Sequence, residues 1–284
     1  MEFIFSTIKH WSENHLKSNP FFSKLEYLLV SQPIILNFSW KQGHNFGSSP
    51  FFVVSVVVSY LSLTFLLSRI SLPFAGPHLL RPIKVLYNLL LISLSSVMAL
   101  GCCLSILFHA PRLQYIICLP SNTSPDGPIF FWAYVFYLSK IYEFFDTVLI
   151  IWSNSMRRLT FLHLFHHAIA VIMCYISLNT SQSIFPALII TNASVHVIMY
   201  YYYMLCALGA RPSWKRRVTE CQIMQFVSGL VIIVVMLYYH FGGEGCSGIW
   251  GCCFDAAFIM ILLVLFLNFY FKNYSSIKTK DKDT

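Results

Sequence analysis

Three histidines in Phe161-Leu162-His163-Leu164-Phe165-His166-His167 are the residues of this chain best placed to do chemistry. His163, His166 and His167 stand at i, i+3 and i+4, so on a helix they share one face. They open an apolar run, Leu162–Leu178, where a polar triplet is costly and therefore points to a site. Three readings fit. Two histidines at i, i+4 can ligate a metal. An imidazole can act as nucleophile or base. The triplet can also be a satisfied hydrogen-bond network. Spacing alone leaves all three open.

Further polar sets occur in other apolar runs. Lys140, Glu143 and Thr147 lie at i, i+3 and i+7, with Asp146 one step aside. A Lys140–Glu143 pair buried between helices is the plain alternative, and such a pair still needs partners. Asn192, His196, Tyr200 and Tyr203 form a stripe at i, i+4, i+8 and i+11, with Met199 beside it. An aromatic belt accounts for Tyr201 and Tyr202 but not for Asn192 or His196. Thr219, Gln222 and Gln225 follow at steps of three, suited equally to gluing helices and to touching a substrate.

The elements that must position these residues follow from composition. Of 284 residues, 57% are hydrophobic and 11% charged. Soluble domains carry about 25% charged residues. The chain therefore reads as an all-α membrane protein. Seven apolar runs are each near or above the roughly 17–25 residues of a spanning helix. They are Phe51–Leu67, Val85–Phe108, Pro128–Trp152, Leu162–Leu178, Ser183–Leu208, Val218–Phe241 and Ile249–Phe271. One domain, 50–272, is expected to hold the seven transmembrane helices, behind an N-terminal segment 1–49 and ahead of a tail 273–284. Trp11, Phe21, Phe22, Leu28 and Leu29 make that segment either a short interfacial helix or a loose tail.

Charge orients the spans. Arg69, Arg81, Lys84, Arg157, Arg158, Arg211, Lys215, Arg216, Arg217 and the tail lysines fall in alternate loops, whereas the opposite inter-helix loops hold only Arg112. The first set is expected in the cytosol, with the N-terminus lumenal and the C-terminus cytosolic. The net charge of +8 then reads as topology or as attraction for an anionic substrate. Lys280 and Lys282 match a KxKxx retrieval signal of the endoplasmic reticulum membrane. Cys118 and Cys246 fall in loops on the oxidising side, so a bridge between them is expected, with Cys252 and Cys253 as rival partners. At about 1.5 Å per residue, all four polar sets lie within roughly 5–25 Å of the cytosolic surface. One polar layer with apolar helix halves beyond it suits an amphiphile with a reacting head and a long alkyl tail.

In order along the chain, KxxExxDT (Lys140, Glu143, Asp146, Thr147), HxxHH (His163, His166, His167), NxxxHxxMYxYY (Asn192, His196, Met199, Tyr200, Tyr202, Tyr203) and TxxQxxQ (Thr219, Gln222, Gln225) resemble the ELO family of very-long-chain fatty acid elongases. The resemblance spans residues 50–284. It implies six of the seven helices ringed around an acyl-CoA tunnel open to the cytosol. It implies condensation of a long-chain acyl-CoA with malonyl-CoA to 3-ketoacyl-CoA, CO2 and CoA, with no cofactor and no metal. His166 is the implied nucleophile, with His167 or His196 orienting it or acting as base. His163, His196 and Asn192 are candidate donors to an enolate, and Glu143 and Asp146 candidate orienting groups. Lys140, Thr147, Met199, Tyr200, Tyr203, Gln222 and Gln225 are expected to line the chamber, and Arg216 and Arg217 to meet the phosphates of CoA. Arg158, five residues before His163, leans the acyl preference toward saturated or monounsaturated chains. Implied partners are membrane lipid and the ketoacyl-CoA reductase, dehydratase and enoyl reductase of elongation. A homodimer is one arrangement to expect, and nucleic acid is no expected partner.

Two rivals stay in view. A di-iron membrane desaturase or hydroxylase also uses HxxHH, but needs roughly eight histidines in several boxes. A non-enzymatic seven-span receptor or transporter explains the topology but not the four polar sets.

Overall fold

In the computed structural model the described residues, 19–70, 76–110 and 112–274, form ten α-helices and no strand. They are α1 (Pro20–Glu26), α2 (Pro33–Leu36), α3 (Pro50–Arg69), α4 (Pro77–His109), α5 (Gly127–Tyr142), α6 (Phe145–Trp152), α7 (Phe161–Asn179), α8 (Phe185–Ala207), α9 (Lys215–Gly242) and α10 (Ile249–Tyr274). Proline stands in the first turn of α3, α4, α5 and α8, where its missing N–H costs nothing. Thr160 caps α7 by accepting the His163 N–H, which sets where the histidine face begins.

Six helices, α3, α4, α7, α8, α9 and α10, are long and apolar enough to cross a membrane. The chain is a multi-pass membrane protein. The stretch Pro128–Trp152, expected as a seventh continuous span, is instead two helices, 16 and 8 residues long, parted at Glu143-Phe144. Here the backbone tightens. Phe144, Asp146 and Thr147 donate to carbonyls three residues back rather than four. The extra rotation lets Glu143, Asp146 and Thr147 reach separate partners on three helices, as described below. The Phe144 ring stacks on Tyr60 of α3 with centroids 3.9 Å apart.

The helices contact one another in a cycle. α4 packs on α5, α5 on α7, α7 on α10, α10 on α9, α9 on α8, and α8 back on α4. α3 lies outside this cycle against α7 and α6. Gly101 allows the α4–α5 approach, since a Cβ there would fall 2.1 Å from the Trp132 ring. In this order α7 and α8 stand opposite each other, yet only Thr180–Ile184 connect them. That short loop must cross one end of the cycle, and Ser181, Gln182, Ser183 and Ile184 are all buried in doing so.

The same end is tied together by several loops. Ser183 Oγ donates to Ser247 O (2.7 Å) and accepts from Leu119 N (3.1 Å), and Ser247 N donates to Leu119 O (2.9 Å). A disulfide joins Cys118 to Cys246, 128 residues on. Cys252 and Cys253 instead stand in α10 as free thiols. The N-terminal segment also packs at this end. Trp132 Nε1 donates to Leu29 O, and Trp40 Nε1 to Asn179 Oδ1. Val30 and Trp40 are core residues, so from Tyr27 onward this segment is part of the fold rather than a tail. Trp11 and the tail lysines Lys280 and Lys282 lie outside the described residues.

Closing so long a loop is worth about 5 kcal/mol in the unfolded-chain account. Cys246→Ser should therefore lower the melting temperature of the detergent-purified protein, and non-reducing peptide maps of the parent should contain a linked Cys118–Cys246 peptide. Equal melting together with unlinked peptides would discard the bridge.

Candidate functional site

The break after Tyr142 determines how the polar residues meet. Lys140 and Glu143 are 3% and 2% exposed, values at which each charge needs a full set of partners. Lys140 Nζ donates to Glu143 Oε1 (2.8 Å) and to Asn192 Oδ1 (3.0 Å), and lies 4.4 Å from the centre of the Phe136 ring. Glu143 Oε1 also faces His196 Nδ1 at 3.4 Å. One buried ion pair thus joins α5 to two residues of the α8 stripe.

Past the break, Asp146 Oδ2 accepts from the hydroxyl of Tyr200 (2.9 Å), a residue wholly buried on α8. Thr147 Oγ1 sits between Tyr60 OH (3.0 Å) and His163 Nε2 (2.8 Å). The His163 and His167 rings are 4.4 Å apart, and those of His166 and His167 5.4 Å. His166 lies parallel to the Phe258 ring at 6.3 Å. Its Nδ1 is buried without a hydrogen-bond partner among the described residues. The three histidines therefore differ. His163 is held by Thr147, His167 is packed between its neighbours, and of the three only His166 lines a cavity.

His166 borders a cavity with about 520 Å³ of empty space, its open mouth included. Lys140, His166, Asn192 and Gln225 contribute polar atoms from four helices. The remaining wall is almost wholly apolar, including Phe136, Met173, Leu188 and Ile259. On α5, α7, α8 and α9 the apolar lining residues lie toward the loop-tied end and the polar ones toward the other.

Not every expected residue reaches this cavity. His163, Glu143, Asp146, Thr147, His196 and Tyr200 form the layer beside it. Gln222 is turned aside, its Nε2 3.3 Å from Met199 Sδ. Tyr203 lies at the exposed edge, its ring 6.1 Å from that of Tyr200. Arg216 is engaged elsewhere. Its Nε donates to Glu220 Oε1 (2.8 Å) and Tyr270 OH (2.9 Å), tying α9 to α10. Arg217, Arg157 and Arg158 are exposed. Among the described residues no three His, Cys, Asp or Glu side chains converge as metal ligands.

Two contributors had not been foreseen. Tyr60 reaches the site from α3, and nothing in the sequence sets its hydroxyl apart from those of Ser55, Ser59, Ser62 and Thr64 in the same run. Phe258 flanks His166 from α10 and has no distinguishing signal at all.

The profile described as "ELO: GNS1/SUR4 family" matches residues 45–283. Fatty acid elongase A of Dictyostelium discoideum is 32% identical over 253 residues, covering 86% of this chain and 91% of its own. A fatty acid elongase 3-like protein of Arabidopsis thaliana is 28% identical over 287 residues, with coverages of 92% and 96%. Very long chain fatty acid elongase 2 of Mus musculus is 32% identical over 207 residues, with coverages of 69% and 66%.

The ion pair makes a stability prediction. Glu143→Leu should cost roughly 3–5 kcal/mol because it leaves Lys140 buried and unpaired. Adding Lys140→Met should recover part of that loss. Thermal melts of the two single variants, the double variant and the parent give the coupling, and strictly additive losses would show that the two charges do not interact.

Proposed function

The chain belongs to the ELO family, a membrane family of fatty acid elongation, and from that premise we propose that it condenses a long-chain acyl-CoA with malonyl-CoA to 3-ketoacyl-CoA, CO2 and CoA. The observation that carries this reading is the His166 imidazole, which borders the cavity with an uncommitted nitrogen.

The chemistry divides into two steps. A ring nitrogen of neutral His166 attacks the thioester carbonyl, and the C–S bond breaks. The displaced ring proton passes to the CoA sulfur, leaving an acyl-imidazole. Malonyl-CoA then loses CO2, and the electrons of that C–C bond form an enolate whose carbon attacks the acyl carbonyl. The C–N bond breaks, and the imidazole regains a proton from water. The enolate oxygen needs fixed donors. Lys140 Nζ, the Asn192 amide and His196 stand nearest this task, with His163 as the next candidate. His167 packs against both neighbours in the motif and holds the His166 ring in place. Glu143 and Asp146 act as positioning residues through His196, Lys140 and Tyr200.

The helix cycle supplies a tunnel in this reading, with α5 and α6 together serving as the seventh span. The polar end opens to the cytosol and the loop-tied end faces the lumen of the endoplasmic reticulum. Exposed Arg157, Arg158 and Arg217 stand at the polar end, where they can meet CoA phosphates. The 3-ketoacyl product requires reduction, dehydration and a second reduction by other membrane enzymes.

Purified protein, radiolabelled malonyl-CoA and a panel of acyl-CoAs, without NADPH, should yield labelled 3-ketoacyl-CoA. His166→Ala should lower this at least a thousandfold, on the order seen when a covalent nucleophile is removed, while its melting temperature stays near that of the parent. Undiminished turnover by the variant would move the acyl acceptor to another residue.

A further inference from the structure

α3 stands outside the helix cycle, yet one of its side chains reaches the polar layer. Tyr60 makes two contacts there. Its ring lies face to face on Phe144, at the tightened turn between α5 and α6, with centroids 3.9 Å apart and planes 12° from parallel. Its hydroxyl meets Thr147 Oγ1 of α6 at 3.0 Å, and Thr147 Oγ1 meets His163 Nε2 of α7 at 2.8 Å. Tyr60 and Thr147 are 6% and 1% exposed, so neither hydroxyl has solvent to turn to. Among the described residues neither side chain makes another hydrogen bond.

Counting protons assigns their places in this chain of three groups. Each hydroxyl carries one proton, and a neutral imidazole carries one on one of its two nitrogens. Were the proton on His163 Nε2, it would be donated to Thr147. Thr147 would then donate to Tyr60, and the phenol proton would be buried without an acceptor. Were both the phenol and Nε2 to donate to Thr147, the threonine proton would be the unpaired one. A buried donor left unpaired disfavours an arrangement by roughly tenfold or more. One order pairs every buried proton. Tyr60 donates to Thr147, and Thr147 donates to an unprotonated His163 Nε2.

We infer that Tyr60 is a positioning residue of the site: acting through Thr147, it keeps the ring proton of His163 on Nδ1. His163 can then donate to a reacting oxygen through Nδ1 alone, while Nε2 stays tied to α3 and α6. What that donor does rests on the condensation reading, in which His163 is a candidate donor to the enolate. The His163 ring also lies 4.4 Å from that of His167, which packs on His166, so freeing it loosens the support of the nucleophile. The outlying helix thereby takes part in the site as well as in the fold.

Ring nitrogen-15 resonances of histidine-labelled protein separate the two neutral tautomers and need no turnover. At about pH 8, above the ordinary histidine pKa, the rings are neutral. The His163 signals, identified by their loss in His163→Gln, should show a protonated Nδ1 and an unprotonated Nε2 in the parent, a reading that needs no further variant. Tyr60→Phe keeps the ring stacked on Phe144 and removes only the hydroxyl, so it should melt near the parent while the second tautomer gains population. In the condensation assay it should lower kcat roughly tenfold and leave KM for acyl-CoA unchanged. Thr147→Ser should retain the parent's tautomer, and Thr147→Val should lose it. Adding Tyr60→Phe to Thr147→Val should lower kcat no further, because the link it acts through is already gone. A protonated Nε2 in the parent, an unchanged tautomer in Tyr60→Phe, or losses that add in the double variant overturn the inference. The expected tautomers in protein that makes no 3-ketoacyl-CoA sustain the positioning role and refute only the condensation.

Discussion

The structure depends on a buried ion pair. Lys140 and Glu143 are withdrawn from solvent within a membrane-spanning bundle, where an isolated charge is costly. Each is sustained by partners on another helix, Asn192 for the lysine and His196 for the carboxylate. The pair therefore does more than neutralise itself. It sets the register of α5 against α8, and with it the positions of every polar group on the two facing stripes. The tightened turn at Glu143-Phe144 belongs to the same arrangement. Two carboxylates and a threonine spaced for one helix face are distributed to His196, Tyr200 and His163.

Much of the site was legible in the chain itself. Polar side chains at three- and four-residue spacing inside apolar runs are expensive, so Lys140, His166, Asn192 and Gln225 could be singled out before any contact was known. Helix existence was legible for the same reason, since runs of apolar residues declare themselves by length. The break in the third run was not. It contains no proline or glycine, and its cause lies in partners on α3, α7 and α8. Tyr60 was hidden likewise, because its hydroxyl acquires meaning only from Thr147, 87 residues away. The Arg216–Glu220 pairing was overlooked for the opposite reason. Glu220 stands one helical turn along, and that local pairing is the ordinary outcome for exposed charges.

The two ends of the bundle differ in construction. At one, three loops, a disulfide and the N-terminal segment are bonded to one another, and a buried loop lies across the opening. At the other, the ties are fewer, among them the Arg81 guanidinium donating to the Leu208 carbonyl and Arg216 bridging Glu220 to Tyr270. A bundle held this firmly at one end can yield at the other without losing the spacing of its interior groups.

The cyclic order of the helices also imposes a timetable. α4 leaves the ribosome long before α8, the helix it packs against most extensively. Until α8 is made, the face of α4 that packs on it stays uncovered. α7 likewise waits for α10. The enclosure can close only when the last helix is inserted, so truncation anywhere upstream leaves an open crescent with its polar interior turned toward lipid.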